Sequence, residues 1–266
     1  MAVPLSESEL AHYDEHGFVI IRSVLASDDV EALRERYWAI ADGEIPAPSH
    51  MLVMRDVMVA KGLVVPEARR DGIAKLQDLH DDPVFHGRYI GNPRLLDLAQ
   101  TFCGPDIKSA HTMIINKPKG VDGRHPLHQD LLYFPFRPAD RIVGIWTALD
   151  RCERDNGTLC VLPGSHKGKL LEHGMPDWEA VNYGYFGIKN VDGSAERLHV
   201  ELDPGDGIMF HPLLLHGSGH NRSGRSRLAI SAHYASAACK YLPHGQQFAA
   251  LRRYRLERGQ EHTGGI

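Results

Sequence analysis

The chain contains no apolar run near the roughly 18 residues that cross a bilayer as a helix, no CxxC pair, no internal repeat and no low-complexity tract. Those gaps exclude a helical membrane span, a disulfide scaffold and a repeat array. Cysteine is scarce, with four residues (Cys103, Cys152, Cys160, Cys239) in 266. A chain of that length buries enough surface without staples, so reduced thiols are expected. A dominant charge is missing too: 30 Lys plus Arg against 34 Asp plus Glu leaves −4 with neutral His, which argues against a nucleic-acid footprint. The opening Met1-Ala2-Val3-Pro4 has neither the basic nor the apolar part of a secretory signal, and Thr263-Gly264-Gly265-Ile266 is not a Ser-Lys-Leu address. A cytoplasmic protein is the expectation.

What is present is ordinary soluble composition, 42% apolar and 24% charged, together with 17 histidines whose placement carries the functional reading. No Pro/Gly/Ser linker divides the chain, so one domain over 1–266 is expected. A mixed helical part runs to about 105 and a β part over about 106–241. Ser6 to Glu9 reads as a capping box ahead of a short helix, Gly17 stops it, and Phe18-Val19-Ile20-Ile21 follows as a strand. Ser27 or Asp28 caps a second helix with Val30, Leu33, Tyr37, Ile40 and Ala41 on one face. Asn92-Pro93 starts a third, with Leu95, Leu96, Leu98 and Ala99 buried, ended by Gly104-Pro105. Beyond Pro105 short apolar runs cut by Gly, Pro, Asn and Asp suggest strands at 107–116, 142–149, 158–162, 198–202, 207–215 and 227–235. Asp203-Pro204-Gly205-Asp206 reads as a turn, and 165–197 as a long loop of the kind that covers sites. The pattern predicts a β-sandwich buttressed by N-terminal helices.

The chemistry concentrates in Arg124-His125-Pro126-Leu127-His128-Gln129-Asp130 and in His211-Pro212-Leu213-Leu214-Leu215-His216-Gly217-Ser218-Gly219. On an extended chain His128 and Asp130 point the same way and can share one metal ion. A third ligand from the second segment would complete two imidazoles and a carboxylate, the facial set of non-haem Fe(II) oxygenases. An HxD pair alone is common, since His and Asp also cap turns. His211 and His216 are five apart and face opposite ways on a regular strand, so only one can serve. Spacing does not choose between them. His125 and His128 stand in the same relation, and the carboxylate two residues on favours His128.

These segments, with His111-Thr112-Met113-Ile114-Ile115-Asn116-Lys117-Pro118, Tyr133-Phe134-Pro135-Phe136-Arg137-Pro138, Asn156-Gly157 and Leu162-Pro163-Gly164-Ser165-His166-Lys167-Gly168, resemble the phytanoyl-CoA dioxygenase family from about Lys75 to Tyr241. The resemblance implies a double-stranded β-helix, or jelly-roll, core and an Fe(II)- and 2-oxoglutarate-dependent oxygenase, with ascorbate as accessory reductant. It places the iron ligands at His128, Asp130 and His216. It places at Arg227 the arginine that grips the distal carboxylate of 2-oxoglutarate, a task suited to a permanently charged guanidinium fork. Ser218, Met113, Trp146 and Lys75 match positions lining that co-substrate's pocket. Arg222 and Arg225, in a turn-like segment, are the alternatives for the clamp.

By the same resemblance the reaction consumes dioxygen and hydroxylates an aliphatic carbon. Asp130 favours hydroxylation, since related halogenases carry Gly or Ala there. The implied substrate is a fatty acyl-CoA, straight or 3-methyl-branched, attacked at carbon 2, with a free small metabolite (terpenoid, amino acid, phosphonate) as the alternative. Leu131, Leu132, Tyr133, Phe134 and Phe136 could form an apolar wall, and Lys117, Lys119 and Arg124 could meet phosphates at its mouth. Two other classes compete: a jelly-roll that binds metal without turnover, and a Zn or Mn site of cupin type. A carboxylate clamp has no use in the first, and the second generally has more histidines.

Overall fold

A computed structural model of the chain describes residues 5–182, 184–190, 196–242, 254–257 and 260–262. Helix α1 (Glu7–His16) begins with the expected reciprocal cap between Ser6 and Glu9 and ends at Gly17, whose φ of 82° lies in the left-handed region that favours glycine. Strand β1 (Phe18–Ile21) and helix α2 (Ser27–Asp42) follow. The N-cap of α2 is Ala26, which offers no side-chain bond, so neither Ser27 nor Asp28 caps it. Asp28 and Asp29 instead lie in its first turn, where the exposed N–H groups favour negative charge. Strands β2 (Leu52–Arg55) and β3 (Ile73–Gln77) precede helix α3 (Pro93–Cys103), capped by Asn92 with Pro93 in its first turn.

The β part comprises β4 (Ile107–Lys117), β5 (His125–His128), β6 (Ile142–Ala148), β7 (Leu159–Val161), a small hairpin of β8 (His173–Gly174) with β9 (Gly187–Ile188), then β10 (Leu198–His199), β11 (Gly207–Phe210), β12 (His216–Ser218) and β13 (Arg227–Ser236). Two antiparallel sheets result. The larger has the order β1-β11-β6-β13-β4, continued through β3 to β2, and the smaller β10-β7-β12-β5. Facing each other, they form the sandwich the strand pattern predicted, with the jelly-roll architecture that the family resemblance implied.

Three strand expectations change. The run 207–215 is a strand only to Phe210; Pro212 cannot continue a ladder, and the chain turns with the Leu214 N–H donating to the His211 carbonyl before β12 starts. The segment 125–128, not predicted as a strand, is one. Its Pro126 is tolerated because β5 is an edge of the smaller sheet. Leu198–His199 is shorter than the 198–202 expected. The turn at 203–206 forms, with the Asp206 N–H donating to the Asp203 carbonyl at 2.9 Å.

Helices α2 and α3 cover the outer face of the larger sheet. Leu33, Tyr37, Leu95, Ala99, Ile114, Val143, Ile145 and Ile230 share one buried cluster there. Each large aliphatic side chain so buried contributes roughly 1.5–3 kcal/mol. A second cluster, including Phe18, Val161, Ile208 and Leu214, lies between the sheets. Between them a polar stretch of the interior runs along the inward faces of β4, β13, β5 and β12. Among the described residues no helix is long and apolar enough to cross a membrane. The cysteines are unpaired: Cys103, Cys152 and Cys160 are buried and Cys239 is half-buried.

Candidate functional site

Alternation along paired strands sets the lining of the cavity between the sheets. In the register of β4 with β13, Lys117 faces Arg227, Ile115 faces Ala229, Met113 faces Ser231 and His111 faces His233. Every second residue therefore points inward. Trp146 of β6 extends the Met113–Ser231 row. Strand β3 pairs with β4 at Lys75–Ile115, so Lys75, outside the β part in sequence, reaches the same space. The cavity holds about 210 Å³ and is lined by these polar residues together with Tyr133, Phe134, Leu159 and Phe210.

Across it, β5 pairs with β12 with His128 directly opposite His216. Asp130 follows in the turn after β5. The nearest ligand-type atoms of His128, Asp130 and His216 all lie within 4.8 Å of one another, and all three residues are buried. The two ring Nδ1 atoms sit 2.9 Å from the carbonyls of Pro126 and Leu214. A carbonyl can only accept, so each Nδ1 carries the proton and each Nε2 presents a lone pair. Those lone pairs face Asp130 Oδ1 at 3.3 and 3.5 Å. Burial pushes the His216 imidazole down to about 4, so it is neutral at pH 7. Burial opposes charge on Asp130 as well, but the imidazoles around it, with the hydrogen bond from His233 Nε2, hold its carboxyl well below the usual range. Two lone pairs and an anionic oxygen converging on one point repel unless a cation stands among them. The donor set fits a divalent metal, with the remaining positions open toward the cavity.

The rivals among the histidines separate. His211 accepts the Leu213 N–H at Nδ1 and turns Nε2 to Asp140 at 3.1 Å, capping its own turn away from the cluster. His125 departs from the expectation that it faces away from His128. A bulge sets His128 opposite His216 and His125 opposite Ser218, three residues against two, which returns His125 to the cavity side. There it stacks between His128 at 4.1 Å and Tyr185 at 3.8 Å.

Arg227 is 2% exposed. Its Nη2 donates to the Gly157 carbonyl at 2.8 Å, while Nε and Nη1 are buried without an acceptor. Trp146 lies beneath it, 5.4 Å from ring centre to guanidinium. Unsatisfied charged donors are costly to bury, and two of them on one fork match a carboxylate. Arg225 instead approaches Glu153 at 3.5 Å and is largely exposed, and Arg222 does not line the cavity. Ser218, Met113, Trp146 and Lys75 do. Lys75 lies 5.0 Å above the Tyr185 ring.

The basic residues expected at the mouth divide. Lys117 points inward, its ammonium donating to the carbonyls of Gly123 and Gly219, so it cannot meet a phosphate outside. Lys119 is exposed and paired with Glu67, and Arg124 pairs with Asp122. Of the proposed apolar wall, Tyr133 and Phe134 line the cavity, whereas Leu131 and Phe136 do not and pack behind Phe134 in a core cluster. The long 165–197 stretch, described except for 183 and 191–195, brings Tyr185 over the cavity. The Tyr133 hydroxyl donates to the Gly184 carbonyl at 2.9 Å.

Sequence reasoning passed over His233, although it shares the face of Arg227, Ala229 and Ser231 and alternation could have found it. Its Nε2 donates to Asp130 Oδ2 at 2.7 Å, leaving Oδ1 toward the two imidazoles, and it stacks on His111 at 5.8 Å. Gly144, opposite in register, makes room for it: a Cβ there would stand 2.9 Å from His233 Nε2 and 2.8 Å from Phe210. His233→Ala is expected to weaken metal binding roughly 10–100-fold by freeing Asp130 to rotate. Titration calorimetry with a divalent metal checks this, and unchanged affinity would show that other contacts orient the carboxylate.

The family model described as phytanoyl-CoA dioxygenase (PhyH) matches residues 13–229. Phytanoyl-CoA dioxygenase, peroxisomal, of Rattus norvegicus is 43% identical, covering 90% of this chain and 70% of its own. Probable phytanoyl-CoA dioxygenase of Caenorhabditis elegans is also 43% identical, covering 90% and 78%. Among solved structures, EctD from S. alaskensis in its apoform superposes with a TM-score of 0.70 at 18% identity, covering 93% of this chain and 83% of that one. The epimerase SnoN, solved with Fe3+, alpha ketoglutarate and nogalamycin RO, superposes with a TM-score of 0.68 at 23% identity, covering 90% and 87%. The structural likenesses speak to the fold, and the family match with the 43% relatives speaks to descent: the chain belongs to the phytanoyl-CoA dioxygenase family.

Proposed function

We propose that the protein is an Fe(II)- and 2-oxoglutarate-dependent dioxygenase that hydroxylates carbon 2 of a fatty acyl-CoA, straight or 3-methyl-branched. His128, Asp130 and His216 hold the iron. Arg227, helped by the Ser218 hydroxyl, takes the distal carboxylate of 2-oxoglutarate, and Met113, Trp146 and Lys75 wall its pocket. The observation that carries this reading is the buried Arg227 fork, with two donors lacking acceptors, in the same cavity as the converging His-Asp-His cluster. The relatives named as phytanoyl-CoA dioxygenases support the substrate class.

Iron, when bound, supplies dioxygen activation coupled to oxidative decarboxylation of the 2-oxo acid. The chain's own residues do the rest. Asp130 and the two neutral imidazoles fix three donors on one side and leave the cavity side free for co-substrate and oxygen. Arg227 sets the reach of the 2-oxo acid through two parallel charge-assisted bonds. Tyr133, Phe134 and Phe210 keep the reacting carbon in apolar surroundings and limit water. The unpaired thiols suit a reducing compartment, and we place the enzyme in the cytoplasm.

The test is oxygen-dependent succinate formation from 2-oxoglutarate with Fe(II), across straight and 3-methyl-branched acyl-CoAs, their free acids and no prime substrate. Tight coupling to an acyl-CoA is expected. Slow uncoupled succinate with every candidate would discard the acyl-CoA, and none at all would discard the oxygenase.

Lys75 gives the site a pH signature. Burial pulls its ammonium down to about 8, with Asp78 partly opposing. The charged form is the one that attracts a dicarboxylate, so the 2-oxoglutarate KM is expected to rise as pH climbs through 8 and to lose that rise in Lys75→Met. A profile unchanged by the substitution would remove Lys75 from the pocket's electrostatics. Stability runs the other way: between pH 8 and the unfolded value of about 10.4 the unfolded chain binds more protons, so the folded state gains stability with rising pH over that window.

A further inference from the structure

On the far side of the smaller sheet from the metal cluster lies a larger groove, of about 880 Å³. Its floor is the outward set of the same strands: Leu127 of β5, Cys160 of β7 and Gly217 of β12, each one residue from an inward-facing neighbour. His125, Gly217 and Ser218 border both spaces, so the groove and the 210 Å³ cavity share a wall at the end of β5 and β12. From the geometry we propose that this groove binds the nucleotide end of coenzyme A, an adenosine diphosphate bearing a 3′-phosphate. The proposal rests on the acyl-CoA reading above and names where the part of that substrate remote from the reacting carbon is held.

Size requires such a second space. The inner cavity falls below the roughly 300–1,000 Å³ that encloses a drug-sized ligand, and it must also receive 2-oxoglutarate, so a coenzyme A thioester can place only its reacting end there. Charge selects the groove. Although the chain is net −4, Arg124, Lys189, Arg197 and His199 line it against one carboxylate, Asp177. Arg197 has no ion pair among the described residues. Arg124 and Lys189 pair with Asp122 and Glu172, which do not line the groove. The Lys189–Glu172 pair is solvent-exposed and weak, so Lys189 is available to a multiply charged phosphate, whereas Arg124 is held by Asp122 in a part-buried pair.

Trp178 adds an aromatic wall, with the Arg124 guanidinium 4.5 Å from its ring centre. Its indole N–H is buried without an acceptor. A buried indole N–H ordinarily finds a partner, and a purine nitrogen or ribose oxygen supplies one. Cations for the phosphates, a flat apolar surface and one unmet donor together describe a nucleotide.

The experiment compares three thioesters of one acyl chain: with coenzyme A, with 3′-dephospho-coenzyme A and with N-acetylcysteamine. Wild-type enzyme is expected to show KM rising along that series, by about tenfold or more overall, which is the scale of one or two charge-assisted contacts. The Lys189→Glu/Arg197→Glu double variant changes exposed side chains only. It is expected to raise the acyl-CoA KM by a similar factor while leaving kcat, the N-acetylcysteamine thioester kinetics and the 2-oxoglutarate KM as they were. Adenosine 3′-phosphate 5′-diphosphate should compete with acyl-CoA and not with the truncated thioester. Equal KM for wild type and variant, or equal use of all three thioesters by the wild type, would overturn the groove assignment and leave the acyl-CoA reading standing. Turnover of a free acid but of no thioester would overturn the acyl-CoA reading itself.

Discussion

Asp130→Ala is expected to reduce substrate-coupled succinate formation to background. Asp130 is the only anionic donor in the cluster, and its Oδ1 lies 3.3 and 3.5 Å from the two imidazole Nε2 atoms. Removing it leaves two neutral ligands facing an uncompensated dication in a buried site, where an unpaired charge is most costly. It also strips His233 of its acceptor, so the variant loses a ligand and the partner that aligned it. Fe(II) titration of the folded variant separates the causes: metal affinity should fall together with turnover. Turnover at the wild-type rate would remove Asp130 from the metal site and reopen the choice of ligands.

Arg227→Leu is the second large effect, and it acts on co-substrate instead of metal. Truncating one member of a buried, hydrogen-bonded charge pair costs about 2–5 kcal/mol, roughly thirty- to several-thousand-fold in affinity. The 2-oxoglutarate KM should rise within that range while Fe(II) affinity stays as in the wild type. Arg227→Lys keeps the charge but not the fork and should fall between the two. An unchanged 2-oxoglutarate requirement would move the clamp elsewhere, although Arg225 is turned toward Glu153 and Arg222 is outside the cavity. Lys117, crowded by Arg227 and held by two carbonyls, is not placed to substitute.

Much of this was readable from local pattern. The capping box at Ser6, the Asn92-Pro93 start of α3 and the long strands at 107–117 and 227–236 announce themselves because caps and alternating burial leave marks within a few residues. The short strand 125–128 did not: His-Pro-Leu-His lacks apolar alternation and contains a proline, and only its partner β12 makes it a strand. The bulge that returns His125 to the cavity is likewise a property of the pairing and not of either segment. His211 and His216 could not be told apart by spacing, because the turn at Pro212 breaks the regular strand on which a spacing argument depends. His233 and Gly144 belong to the site through cross-strand register, which one sequence does not display. The family resemblance supplied the choice of His216 and of Arg227, and the geometry is independently consistent with both: one histidine caps a turn while the other faces Asp130, and one arginine is buried with donors to spare.

Arg227 and His233 lie on a single strand, six residues apart, and each governs one end of the cavity: the guanidinium at one, the Asp130 anchor at the other. Strand rise is about 3.3 Å per residue, so one strand fixes the spacing of the Arg227 and His233 backbones. The cavity therefore acts as a calliper. On the reading proposed above, with Arg227 taking the distal carboxylate, a keto diacid one methylene shorter or longer than 2-oxoglutarate is expected to bind more weakly, because it no longer matches the span from that strand to the metal cluster.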